Sequence, residues 1–228
     1  MSSERRDATC RAALNLFPAG EHKPAAQGML MLPRQSAARG QGSARSDTRD
    51  EARLIGRIAD GELRAFEDLY RVYHPRLTRF IANMLRRPEL VEEVLNDTML
   101  VVWRRADSFN GTSKVSTWIF AIAYRKALKA LRGLDDPVED KNADFRESGA
   151  PGPEQQLSQR QVQESLLSAM AELSADHRAV VDFTYFHEIG YREIAQIMDC
   201  PVDTVKTRMF HARRRLKTML TGRLADWL

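Results

Sequence analysis

Seven Lys and Arg stand against two Asp in residues 199–223, a local charge of +5 in a 228-residue chain whose net charge is only +4. They lie in the run YREIAQIM, DCP, VDTVKTRMFHARRRLKTML, which reads as a short helix, a break holding Pro201, and a longer basic helix. In the longer segment Val205, Met209, Ala212 and Leu216 recur at i, i+4, i+7 and i+11 and must face a core. Lys206, Thr207, Phe210, His211 and Arg214 then share the opposite face, flanked by Arg208, Arg213, Arg215 and Lys217. Ammonium and guanidinium groups neutralise phosphates and release counterions. Thr and His can hydrogen-bond base edges, and Phe can touch a thymine methyl. A helical hairpin with a basic solvent face would carry similar charges. Here the short helix, the tight break and the charge polarity coincide, which favours DNA reading.

Other chemistries find less support. His177, Asp182, His187 and Glu188 are the residues that would suggest a metal or acid–base site. Ten residues carry a helix about 80° past whole turns, so His177 and His187 do not share a face. The chain holds no HExxH, P-loop or nucleophile elbow. No enzyme activity, metal, cofactor or small-molecule substrate is therefore expected. Cys10 and Cys200 cannot build a disulfide scaffold or a four-thiolate zinc site, and this usage suits a reducing cytoplasm. No run of 18 apolar residues predicts a membrane span, and the first twenty residues hold no long apolar stretch of the secretory kind.

The elements that must position the basic face are all predicted helical. Residues 1–49 are rich in Ala, Gly, Ser, Pro and Arg, with eight basic and four acidic residues, and read as a disordered tail. From Asp50 a helical pattern begins. Phe66, Leu69, Tyr70, Tyr73, Leu77, Phe80, Ile81 and Met84 share one face, and Pro75 should kink or divide the stretch. After Pro88, Val91, Val94, Leu95, Thr98 and Val102 share a face that Trp103 closes. SFNGTSK, with Asn110-Gly111, is a loop. A helix from about Val115 to Leu131 carries Trp118, Ile119, Ile122, Ala123 and Leu128; Trp118 is assigned to the core because it shares a face with Ile122. Residues 133–157 hold two basic and seven acidic residues with Gly and Pro, and read as a flexible linker of roughly 25–30 Å span. Helices over 158–172 and 175–187 follow, the second with Ser174 as N-cap. No strand pattern of useful length occurs, so the expected fold is all-α. Two small helical domains, 50–132 and 158–221, are joined by the linker, with a C-terminal tail over 222–228.

LSADHRAVVDFTYF, YREIAQIM and CPVDTVKTRMFHARRRL together resemble region 4 of the extracytoplasmic-function class of the sigma-70 family. LVEEVLNDTMLVVWRRADSFNG resembles region 2.2, and TSKVSTWIFAIAYRKALKALR resembles regions 2.3–2.4. The resemblance spans both predicted domains in the family's order, with a linker in place of region 3. It implies an alternative sigma factor that binds core RNA polymerase, directs promoter-specific initiation of the stress-response kind, and is held inactive by an anti-sigma factor. Docking on the polymerase's beta-prime clamp helices would fall to Glu92, Glu93, Leu95, Asn96, Asp97, Met99, Leu100 and Trp103. Val91, Val94, Thr98 and Val102 read as core, and Val101 stands where the family often has a basic residue. Capture and melting of the −10 element would fall to Phe109, Asn110, Gly111, Thr112, Ser113 and Lys114, followed by Arg125, Lys126, Lys129 and Arg132, with Tyr124 left open as a stacking ring. Reading of the −35 element would fall to Thr204, Lys206, Thr207, Arg208, Phe210, His211, Arg213 and Arg214, of which Arg208 and Arg213 suit phosphate contacts or internal ion pairs. Asp203 stands where glycine is usual, and His211 where arginine is common. The rival reading is a stand-alone helix-turn-helix regulator, which would account for 175–221 only.

Overall fold

The computed structural model describes residues 41–135 and 165–224, with side chains placed over 50–133 and 165–220. The described residues are helical throughout apart from turns, and no strand occurs among them. The helices are α1 (Gln41–Ala59), α2 (Leu63–Leu85), α3 (Pro88–Arg104), a single 3-10 turn (Ala106–Ser108), α4 (Val115–Asp135), α5 (165–171), α6 (Ala175–Tyr185), α7 (Tyr191–Met198) and α8 (Val202–Leu224). They fall into two compact units. One holds the described residues up to Ile81 with Arg87–Lys126; the other holds Ala82–Arg86 with the described residues from Ala127 onward.

In the first unit, the predicted face of α2 is buried at Phe66, Leu69, Tyr70, Tyr73, Leu77, Phe80 and Ile81. The Phe66 ring meets Trp103 edge-on at 5.2 Å, and Phe80 meets Phe120 edge-on at 5.7 Å. Pro75 does not divide this stretch: α2 runs unbroken through it. An interior proline costs about 3 kcal/mol, whereas each large apolar side chain buried contributes about 1.5–3 kcal/mol. Tyr73 and Leu77, which flank Pro75, are both fully buried, so packing outweighs the lost amide. Arg76 adds its guanidinium over the Tyr73 and Phe120 rings at 5.0 and 5.4 Å.

Both ends of the first predicted domain, 50–132, differ from the sequence reading. Residues 41–49, assigned to the disordered tail, lie in α1. The buried Ile55 and Ile58 anchor that helix, which packs on α3 and the 3-10 turn. Propagation from an existing nucleus through Ala44, Arg45 and Arg49 is then easy. At the other end, α4 continues to Asp135, three residues into the segment read as linker. The rest of the predicted tail, 1–40, and of the linker, from 136, lie outside the described residues.

In the second unit, the Ser174 side chain accepts from the His177 amide and caps α6, as its residue type predicts. The Arg178 guanidinium donates to the carbonyls of Met170, Ala171 and Leu173, satisfying the end of α5. Helix α6 ends at Tyr185, two residues short of the expected 187. His187 folds back beyond it, placing its Nε2 3.2 Å from the buried Asp182 carboxylate. Helix α8 packs on both α6 and α7.

Candidate nucleic-acid interface

The break between α7 and α8 is built by one residue in the left-handed region. Asp199 sits at φ 51°, which Asp tolerates better than most residues. The Cys200 amide closes the turn on the Ala195 carbonyl at 3.0 Å. Pro201 follows, and its carbonyl accepts from the amides of Thr204 and Val205. Ile194, Ala195, Ile197 and Met198 are buried, which fixes α7 under α8.

Along α8 the predicted division of faces holds. Val205, Met209 and Ala212 are buried and Leu216 is half-buried. Lys206, Thr207, Phe210, His211, Arg213 and Arg214 are exposed, while Thr204 is half-buried. Phe210 is 62% exposed, a large apolar ring with no core to enter. Four residues on or beside this face have internal partners. Arg208 is half-buried, ion-paired with Asp176, and approaches Cys200 Sγ at 3.7 Å. Lys206 Nζ lies 2.8 Å from Asp203 Oδ1, and this bond holds the Asp203 carboxyl below the usual carboxylate range. Thr207 donates its hydroxyl to the Asp203 carbonyl at 2.9 Å. Arg213 stands 5.7 Å over the Tyr185 ring. Behind the face, the His177 ring meets the His211 ring at 6.4 Å. Burial, then the charges of His211 and Arg208, push His177 below its ordinary value.

In the first unit, the loop after the 3-10 turn is ordered from within. Asn110 Oδ1 accepts from both the amide and the hydroxyl of Thr112, at 3.1 and 2.7 Å. Gly111 takes φ 72°, a conformation that favours glycine. Phe109 and Ser113 are half-buried, and Asn110, Gly111, Thr112 and Lys114 are exposed. Trp118 is not in the core, contrary to the sequence reading. It is half-buried, its ring 5.5 Å from Phe109, so the loop supplies the partner that helical spacing assigned to Ile122. Tyr124 is buried and cannot offer its ring to a base. Arg125 is exposed on α4; Lys129 and Arg132, exposed farther along that helix, fall in the second unit. Lys126 is ion-paired with Asp97 of α3 at 2.9 Å.

Helix α3 requires a larger correction. Leu95, Met99 and Trp103, assigned to a docking face, are buried together with Val91, Val94, Thr98 and Val102. The helix hides a broad stripe, with pairs of adjacent residues on each turn, because α1 and the 3-10 turn both pack against it. Glu93 and Asp97 remain exposed, and Glu92, Asn96 and Leu100 half-exposed. Asn96 Oδ1 lies 3.5 Å from the Tyr70 hydroxyl, which burial pushes up to about 12 and so keeps protonated. Glu92 lies 3.8 Å from the His74 ring.

Sequence reasoning missed Asp176, Tyr185 and Tyr70 as partners of these residues. They come from helices other than those bearing the groups they contact, so no local spacing points to them. Among the described residues, no group of three His, Cys, Asp or Glu is placed to hold a metal ion. No described helix is long and apolar enough to cross a membrane.

Comparison with known proteins agrees with this arrangement. The family model for sigma-70 region 2 matches residues 69–136, and that for sigma-70 region 4 matches residues 163–216. The chain is 26% identical over 186 residues to the RNA polymerase sigma-H factor of Pseudomonas aeruginosa, covering 77% of this chain and 96% of that protein. It is 28% identical over 173 residues to the ECF RNA polymerase sigma-E factor of Escherichia coli, covering 72% of this chain and 90% of that one. Among solved structures it resembles the sigma factor RpoE of Bartonella quintana, in complex with the anti-sigma factor NepR, with TM-score 0.54 and 27% identity over 68% of this chain and 96% of that one. The fold also matches CnrH, solved with the cytosolic domain of CnrY, with TM-score 0.59 and 21% identity over 76% and 98% of the two chains. With both region models matched in order, and relatives aligned over nearly their whole length, the chain belongs to the sigma-70 family, in its extracytoplasmic-function class.

Proposed function

We propose that this chain is an alternative sigma factor that joins core RNA polymerase, opens the −10 element through its first unit and reads the −35 element through α8. One observation carries the reading: a region 2 match and a region 4 match occur in one chain, the second containing a basic helix face with its apolar side buried. A stand-alone regulator explains only the second half. The protein acts as a specificity subunit and not as a catalyst, and works in the cytoplasm, where its polymerase and promoter are.

The polymerase-facing set is the accessible part of α3: Glu92, Glu93, Asn96, Asp97 and Leu100. The −10 set is the Phe109–Lys114 loop with Arg125, Lys126 and Lys129. The exposed Asn, Gly and Thr supply hydrogen bonds and close backbone approach to a base taken from the stack, and the cations follow the strand. The −35 set is Lys206, Thr207, Phe210 and His211 for bases, with Thr204, Arg213 and Arg214 toward phosphates; Arg208 serves as an internal brace on Asp176. The Bartonella quintana relative was solved with an anti-sigma factor, which supports a partner of that kind here.

Run-off transcription with core polymerase and a genomic promoter library tests the whole reading. Promoter-selective transcripts that need both core enzyme and this chain are expected. Lys206→Ala combined with His211→Ala should lower selection of the −35 element by about ten-fold or more. A chain that shifts promoter duplex unaided and adds nothing to core polymerase would be a stand-alone regulator.

A further inference from the structure

The N-terminal turn of α8 carries a group that none of the site assignments above uses. Asp203 is the second residue of the helix, and its side chain is 89% exposed. Its side chain pairs with Lys206, itself 60% exposed, with Nζ 2.8 Å from Oδ1. The two stand on the same face as Phe210, three and four residues apart in succession, so they share the approach to a groove. Thr207, between them on that face, turns its hydroxyl proton back to the Asp203 carbonyl. The leading edge of the recognition helix therefore presents one acceptor-only group beside one donor-only group.

A base pair offers the complementary arrangement in the major groove. Cytosine N4 is a donor and guanine O6 an acceptor, and the two lie about 2.9 Å apart because they are hydrogen-bonded to each other. The Asp203–Lys206 separation matches that spacing. Adenine N6 and thymine O4 form a similar edge, but guanine adds N7 as a second acceptor for the ammonium, whereas thymine sets a methyl beside O4. We infer that Asp203 is a specificity-determining residue and that, with Lys206, it reads a single C·G pair in the −35 element, the carboxylate accepting from cytosine N4 and the ammonium donating to guanine O6 and N7. This rests on the −35 role proposed for α8 and names the sequence feature that role would select.

The test uses holoenzyme reconstituted from core polymerase and the full chain. The −35 segment is randomised above the −10 element recovered with the unaltered protein, and transcribed templates are sequenced. Unaltered holoenzyme should favour C·G at one position. Asp203→Ala should lower that preference by about ten-fold at that position and leave the others intact. Asp203→Asn should move the same position toward A·T, because an amide pairs with adenine N6 and N7. An equal change in output across all sequences would show that Asp203 acts only as a charge near phosphates, and would overturn the inference. Unchanged preferences in Asp203→Ala, or an A·T preference in the unaltered protein, would overturn it as well. Absence of any −35 preference in the unaltered holoenzyme would instead defeat the role of α8 itself, and the inference with it. Asp203 has no core contacts, so circular dichroism of both variants should match the parent.

Discussion

Helices α3 and α8 both carry function by proposal, yet they divide their surfaces differently. Helix α8 buries a narrow stripe, Val205, Met209 and Ala212, and leaves most of its circumference to solvent. Helix α3 buries seven of its 17 residues, adjacent pairs included, and leaves only a strip of acidic and amide groups. A helix lying on one surface can display a face; a helix packed on several sides can display only its remainder. Spacing reads the buried stripe of α8 and, at Leu95 and Trp103, that of α3; it is the docking assignment implied by the resemblance that places three of its eight residues, Leu95, Met99 and Trp103, inside the core.

The sharpest way to break this contrast is to truncate the misassigned residues. Leu95→Ala and Met99→Ala should each cost about 2–5 kcal/mol, seen as a lowered melting temperature of the first unit. Unchanged melting with lost polymerase binding would place them at the surface after all. A smaller effect separates the remainder of α3 from its core. Asp97→Arg should lower melting far less than either truncation and weaken assembly with core polymerase by about ten-fold. It also frees Lys126, so the loss of the Asp97–Lys126 pair should itself be worth under about 1 kcal/mol, as exposed pairs usually are. The smallest effect belongs to the second unit. His177 lies below its ordinary value near 6.5, so the folded protein binds fewer protons there than the unfolded chain. Its contribution to stability is complete above that value and is lost as pH falls through the lower folded one. Thermal melts taken from neutral to acidic pH should show a decline that His177→Gln reduces.

How much was legible follows from how local each cause is. The α7–α8 break was visible because Pro201, the short apolar run before it and the basic run after it are contiguous. The capping role of Ser174 was visible for the same reason. Trp118 was not: its ring partner Phe109 lies in a loop, where helical spacing has no authority. Pro75 misled because proline reports a local cost, whereas the continuity of α2 is decided by burial against residues far along the chain. The brace of Arg208 on Asp176 was only one of two options from sequence, and the contact with α6 selects it.

The unbroken helix across Pro75 bears on the order in which the protein is made. The amide that residue lacks cannot close a turn, so the two halves of α2 have weak reason to align as they emerge from the ribosome. The aromatic support for that junction comes from Phe120, which meets Phe80 and Arg76 from more than thirty-five residues downstream. The packing that supports a continuous α2 is therefore complete only after α4 has been synthesised. Until then, the nascent chain presents two half-helices with apolar faces awaiting a third.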